Sequence, residues 1–207
     1  MTALAVVTAP RRSASIAALA RPAAVTGGLI AVVAARWAVW RSGALDPIVV
    51  GALFGVGLLA VGLVAGWRPT RAANLRVLAR ALGIGALGGL ALVATALVGP
   101  HPSWAATLAG SFPLAPWIGA TVLVASAEEV VLRGALFDAL DRPFGVLVAL
   151  LATSAVFALI HVPVYGFGAV PLDLGVGLVL GGLRLVSGGV AAPAVAHVLA
   201  DLAVLGL

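Results

Sequence analysis

Seven apolar stretches, separated by prolines and charges, make up most of this chain, and each is close to the length needed to cross a bilayer. A spanning helix takes about 20 mostly apolar residues, because lipid offers no partners and each backbone amide must be satisfied within its own segment. The stretches run Val25 to Trp40, Ile48 to Trp67, Val77 to Val98, Leu114 to Phe137, Phe144 to Val162, Ala169 to Val186 and Val190 to Leu207. Composition points the same way: 63% of residues are hydrophobic and 9% charged, whereas a soluble domain carries about 25% charged residues. The expected fold is all-α, a polytopic membrane helix bundle of about seven transmembrane helices.

Charge placement orients this bundle. All 12 basic residues are arginine, and the net charge is +5. Cytoplasmic loops are enriched in Lys and Arg. With the N-terminus inside, Arg11, Arg12, Arg21, Arg68, Arg71, Arg76, Arg80, Arg142 and Arg184 fall on or near the cytoplasmic side. Arg41 falls outside, and Arg36, near the outer end of the first span, can snorkel to head groups. The positive charge therefore reads as topology, with the lipid bilayer as partner and no nucleic acid. Met1 to Arg21 has its arginines after an apolar start, the reverse of a secretory signal, and reads as a cytosolic tail. The chain has no cysteine, which excludes disulfides, a thiol nucleophile and cysteine metal ligands.

Glycines four apart (Gly51 and Gly55, Gly62 and Gly66, Gly85 and Gly89, Gly177 and Gly181) read as close helix packing. Gly83, Gly85 and Gly88 match a dinucleotide fingerprint by letter. That chemistry needs a strand before the glycines and a helix opening after them, and these lie inside a span. Gly99 to Pro113, with Trp104 as an anchor, reads as an interfacial connection.

Within this apolar background stand three polar constellations. Glu128 and Glu129, the only glutamates, share a span with Arg133. An acid at the bilayer centre costs roughly 2.5–3.5 kcal/mol even on lenient scales, so paired acids there are candidates for function. Spacing of four puts Glu129 and Arg133 on one face, where they can pair, and Glu128 points about 100° away. Phe157 and His161 lie at the end of the fifth span, before Pro163. His197 and Asp201, again four apart, share a face of the seventh. Each has a structural reading: an ion-pair staple, an interfacial histidine, a histidine–aspartate hydrogen bond. Counted at 1.5 Å per residue from the expected span ends, Glu128, His197 and Asp201 share a height and His161 lies roughly 10 Å further out. A fifth helix that is tilted or starts late closes that gap.

The order Glu-Glu-x-x-x-Arg, Phe-x-x-x-His, His-x-x-x-Asp resembles the CAAX protease and bacteriocin-processing family of intramembrane endopeptidases, which includes the type II CAAX prenyl endopeptidases. The resemblance covers about Pro113 to Leu207. Residues 1–22 read as a tail and 23–112 as N-terminal membrane helices with the interfacial connection, outside the resemblance, which implies 113–207 as a catalytic membrane domain. It further implies hydrolysis of a peptide bond in a membrane-associated substrate, prenylated CAAX-type chains being the best known. In the roles it implies, Glu128 aided by His161 activates water, Glu129 and Arg133 set geometry and charge, Phe157 orients the site, and His197 with Asp201 stabilises the oxyanion. Position 201 is Asp where eukaryotic members carry Asn. An ionised Asp only accepts hydrogen bonds, and in that form it orients His197. The resemblance implies no metal cofactor. Two histidines and a carboxylate also suit zinc as an alternative, although no His-Glu-x-x-His is present. The readings from other classes are a non-catalytic scaffold or immunity-type relative and a proton-coupled transporter. A transporter's mark would be broken helices in two related halves, and no such repeat is evident.

Overall fold

The computed structural model describes residues 16–69, 74–98 and 113–203. Among them every element is helical and there is no strand. The chain begins with α1 (Ile16–Ser42), α2 (Pro47–Val64) and α3 (Leu75–Val98). Next, α4 (Leu114–Glu129) continues unbroken through a π-helical segment (Val130–Leu136) into α5 (Phe137–Phe144). After α6 (Val146–Tyr165), one 3-10 turn (Phe167–Ala169) leads to α7 (Val170–Ser187), and α8 (Ala191–Ala203) follows. The tail up to residue 15, the connection with Trp104 and the last four residues lie outside the described residues.

Helices α1, α2, α3, α6 and α7 are each long and apolar enough to cross a membrane. The exposure pattern is the reverse of a soluble protein's. Ile30, Leu53, Leu87, Leu147 and Leu159 face outward, while Glu128, Glu129, Arg133, Thr153, Ser154 and His197 are buried. A multi-pass membrane protein presents this surface, because lipid tails tolerate apolar side chains and exclude unsatisfied polar ones. The interior hydroxyls are satisfied locally: Thr153 donates to the carbonyl of Ala149 at 2.8 Å and Ser154 to that of Leu150 at 2.8 Å.

Two boundaries differ from expectation. The fourth span, expected to stop at Phe137, runs to Phe144. Its polar last turns stay helical because Arg184 of α7 binds Asp138 at 3.1 Å and, through Nε, the Arg133 carbonyl at 2.9 Å. The rod ends only at Gly145, whose φ of 84° is open to glycine at little cost. The fifth helix continues through Pro163 to Tyr165. Proline removes one amide donor, and one missing bond near a helix end does not stop the winding.

Small residues draw the helices together. α2 lies along α4 and the π segment, where a Cβ at Gly55 would meet Leu123 Cγ at 2.8 Å and one at Gly62 would meet Val130 Cγ1 at 2.9 Å. α3 packs most extensively against α8. There a Cβ at Gly85 would meet the Ala192 carbonyl oxygen at 2.5 Å, and one at Gly89 would meet Leu199 Cβ at 2.9 Å. Gly177 rides on the Ser154 backbone, with Cα at 3.0 Å from such a Cβ. Gly51 and Gly66 depart from this reading. Gly51 has nothing within 4 Å, and Gly66, with φ of 83°, sits in the turn that ends α2. Glycines 83, 85 and 88 all lie within α3, with no strand before them.

Gly85→Val is expected to lower stability by about 1–3 kcal/mol, because its branched side chain meets backbone that cannot step aside. Gly51→Ala should leave stability unchanged within about 0.5 kcal/mol or raise it. Thermal unfolding of the purified variants in detergent checks both.

Candidate active site

The site starts where α4 gives way to the π segment. Glu128 and Glu129 are the last two residues of α4, and Arg133 lies in the wider turn that follows. A π segment carries an extra residue per turn and recurs at functional sites. Here residues 127–137 are all buried, so the wide turn is enclosed on every side. Trp67 covers one side: a Cβ at Gly134 would stand 2.5 Å from its ring.

Arg133 is fully buried and reaches three groups. Nη1 donates to Glu129 Oε1 at 2.7 Å, Nη2 donates to the Gly177 carbonyl at 3.0 Å, and the guanidinium lies 4.7 Å from the Phe157 ring centroid. Glu129 Oε1 also accepts from His197 Nδ1 at 3.0 Å. One carboxylate oxygen thus joins α4, the π segment and α8, and Arg133 extends the link to α7. Glu129 Oε2 and Arg133 Nε are buried with no partner among the described residues.

Glu128 is arranged differently. Its Oε2 lies 4.0 Å from His161 Nε2 and 3.8 Å from His197 Nε2. Both separations exceed a direct hydrogen bond and are short enough for one water to touch both groups. His161 Nδ1 donates to the Phe157 carbonyl at 2.8 Å. A carbonyl can only accept, so the proton on Nδ1 is fixed and Nε2 is turned to Glu128. Phe157 sits among these groups, edge-on to His161 at 4.7 Å and to His197 at 5.3 Å between centroids.

The longer α4–α5 rod explains why His161 meets Glu128 despite the expected 10 Å offset. The hairpin turns at Gly145, so Glu128 lies about 24 Å from the turn along one helix and His161 about 23 Å along the other. The ends expected from sequence placed that turn too early on the first helix.

Asp201 Oδ2 lies 3.6 Å from His197 Nε2, and its side chain is 44% exposed. The short bond that orients His197 is the one to Glu129, not one to Asp201. Among the described residues no three His, Asp or Glu side chains are drawn together at metal-ligand spacing.

Three further residues border the site. Asp173, in the first turn of α7, lies close enough for its charge to act on His161 and has a buried Oδ2 without a partner among the described residues. It is the one acid in its apolar span, a signal legible in sequence. Arg36 of α1 stacks on the Phe54 ring at 4.4 Å, and its charge acts on Glu128. Tyr165 stacks on His161, with centroids 5.7 Å apart and planes at 14°. Arg36 and Arg184 read from sequence as topology charges, and nothing in their spacing reveals the tertiary partners.

Residues 109–203 match the family model described as type II CAAX prenyl endopeptidase Rce1-like. No curated protein and no solved structure matches the chain.

Arg133→Ala should cost about 3–5 kcal/mol, because it leaves Glu129 buried without its countercharge. Arg133→Lys should recover only part of this, since one ammonium cannot present the planar fork that reaches both Glu129 and Gly177. Melting temperatures of the two variants in detergent check the order.

Proposed function

On the premise that residues 109–203 carry an Rce1-like, type II CAAX prenyl endopeptidase domain, we propose that this protein is an intramembrane endopeptidase that uses Glu128 to activate water. The observation that carries the reading is the convergence of His161 Nε2 and His197 Nε2 on one oxygen of a buried carboxylate. A water held between Glu128 and His161 gives a proton to the carboxylate as its oxygen attacks the peptide carbonyl carbon. The oxyanion that forms is stabilised by His197, which in its protonated form donates from Nε2 while Glu129 holds Nδ1. Collapse of this intermediate breaks the C–N bond, and Glu128 returns the proton to the leaving amine. General acid–base help of this kind contributes about 10²–10⁴-fold, and a donor aimed at the oxyanion about 10²–10³-fold. Asp201 beside His197 supplies countercharge to the imidazolium. The chemistry needs no metal.

The proposed orientation has the N-terminus in the cytoplasm and the C-terminus outside. Supporting it, Arg21 binds the Ala65 carbonyl at 3.1 Å, and helix order brings Arg68, Arg76, Arg142 and Arg184 to that same end of the bundle. Tyr165, Asp173 and Asp201 then lie on the extracytoplasmic side of Glu128. Substrates would be membrane-associated chains that present an end there.

The direct test is cleavage of a prenylated CAAX peptide and of a peptide library by wild type and Glu128→Gln. The substitution should lower kcat by about 10²-fold or more with the melting temperature kept, and a chelator should change neither protein's rate. Equal rates for the two proteins, or a rate abolished by the chelator and restored by zinc, would refute the proposed role.

The absence of native cysteines makes the orientation testable with single replacements. Phe167→Cys, at the exposed α6–α7 turn, should react with a membrane-impermeant maleimide in intact cells. Arg142→Cys, at the opposite end, should react only after lysis. The reverse pattern would invert the topology.

A further inference from the structure

Arg36 lies on α1, outside the segment that matches the endopeptidase family, yet its charge acts on Glu128 and on the Tyr165 hydroxyl. Its guanidinium is held by stacking on Phe54 of α2 at 4.4 Å, and the residue is half-buried. No carboxylate of a described residue lies within ion-pairing distance of it. Near the outer end of its span, a guanidinium held on a ring and by no carboxylate is free to meet an anion, from a head group or from a substrate.

The charges around the site bear on which anion that is. Glu128, Glu129, Asp173 and Asp201 face the histidines. The fully buried cation, Arg133, is already committed to Glu129 and to the Gly177 carbonyl. With Glu129 already paired, a substrate carboxylate entering here faces Glu128, Asp173 and Asp201, and Arg36 is a cation whose charge reaches Glu128. Between α1 and α6 an apolar groove of about 690 Å³ opens toward the membrane, its walls including Leu29, Ile30, Val33, Trp37, Leu159 and Ile160. Val33 and Leu29 of its wall stand one and two turns before Arg36 on α1, which sets the cation next to the groove on the same face of the helix. Ile160 ties the same cleft to His161, its neighbour in sequence. Apolar walls with one cation at the rim suit a peptide segment of apolar side chains that carries a carboxylate.

We propose that Arg36 binds a carboxylate of the substrate peptide and so fixes which bond lies over Glu128. Arg36 is in this role a specificity-determining residue, and the carboxylate comes from the chain's C-terminus or from an acidic side chain. The proposal rests on the endopeptidase reading for its meaning, but binding can be measured without cleavage.

The test uses wild type, Arg36→Gln and Arg36→Lys in detergent, with a dansylated peptide library made as free acids and as C-terminal amides. A second pair of amidated libraries differs by Glu against Gln at internal positions. Fluorescence anisotropy reads binding, and product analysis reads kcat/KM. Wild type should prefer the carboxylate form in at least one comparison by on the order of ten- to a hundredfold, the range of a hydrogen bond to a charged group. Preference in the acid-against-amide comparison assigns the chain end, and preference in Glu against Gln assigns a side chain. Arg36→Gln should erase the preference, and Arg36→Lys should keep only part of it, because the point charge remains and the planar fork is lost.

Equal handling of both forms by wild type overturns the proposal. So does an equal loss on both forms in Arg36→Gln, which would make Arg36 a counterion for Glu128 or an anchor for lipid phosphate. Arg36-dependent, carboxylate-selective binding with no cleavage by any protein would sink the endopeptidase reading and leave this site standing. Cleavage without carboxylate preference would do the opposite.

Discussion

The bundle depends on one buried oxygen, Glu129 Oε1, which accepts from Arg133 at 2.7 Å and from His197 at 3.0 Å. These two donors come from the π segment and from α8. Arg133 carries the connection on to the Gly177 carbonyl in α7. In water such a pair adds little, because both ions are well solvated apart. Inside the bundle each ion alone would be severely destabilised, and removing one partner costs about 3–5 kcal/mol. The pair therefore acts less as added stability than as a constraint on how α4, α7 and α8 assemble. The π segment serves the same end, bringing Arg133 to a carboxylate one residue beyond Glu128 while leaving Glu128 aimed elsewhere.

Two adjacent acids in one helix acquire different chemistry from their neighbours. Glu129 is consumed by strong donors. Glu128 faces two imidazole nitrogens across gaps of 4.0 and 3.8 Å, wide enough to admit a water. Phe157 maintains this difference: its ring lies against Arg133, His161 and His197, and its carbonyl fixes the proton on His161 Nδ1. An aromatic ring that touches two histidines and a guanidinium resists rotation of all three and so holds the cluster in one geometry.

The first three helices take part in this site. Gly55 and Gly62 bring α2 against α4 and the π segment, Trp67 lies on Gly134, and Gly85 and Gly89 seat α3 on the helix of His197. Arg36 brings α1 into the electrostatics of Glu128. The enclosing helices thus lower solvent access to the charged groups and strengthen each of their interactions.

Much of the fold was legible in the sequence, because lipid leaves a spanning chain little choice but helix and apolar length alone marks where the helices lie. The pairing of Glu129 with Arg133 was legible for a similar reason, since residues four apart on a helix are neighbours whatever surrounds them. Where the fourth rod ends was not legible. Its last turns are polar, and Arg184, distant in sequence, binds Asp138 within them; that one extension also decides the height at which His161 meets Glu128. The roles of Arg36 and Trp67 were hidden for the same reason, whereas Asp173 was marked in the sequence as the one acid of its span. By itself the sequence determined the solvent, the helices and the residues able to do chemistry, because these follow from local spacing and transfer energy. Which oxygen is consumed, which is left facing the histidines, and which distant arginine faces it were decided by tertiary structure alone, because each depends on the direction a side chain takes when another helix is packed against it.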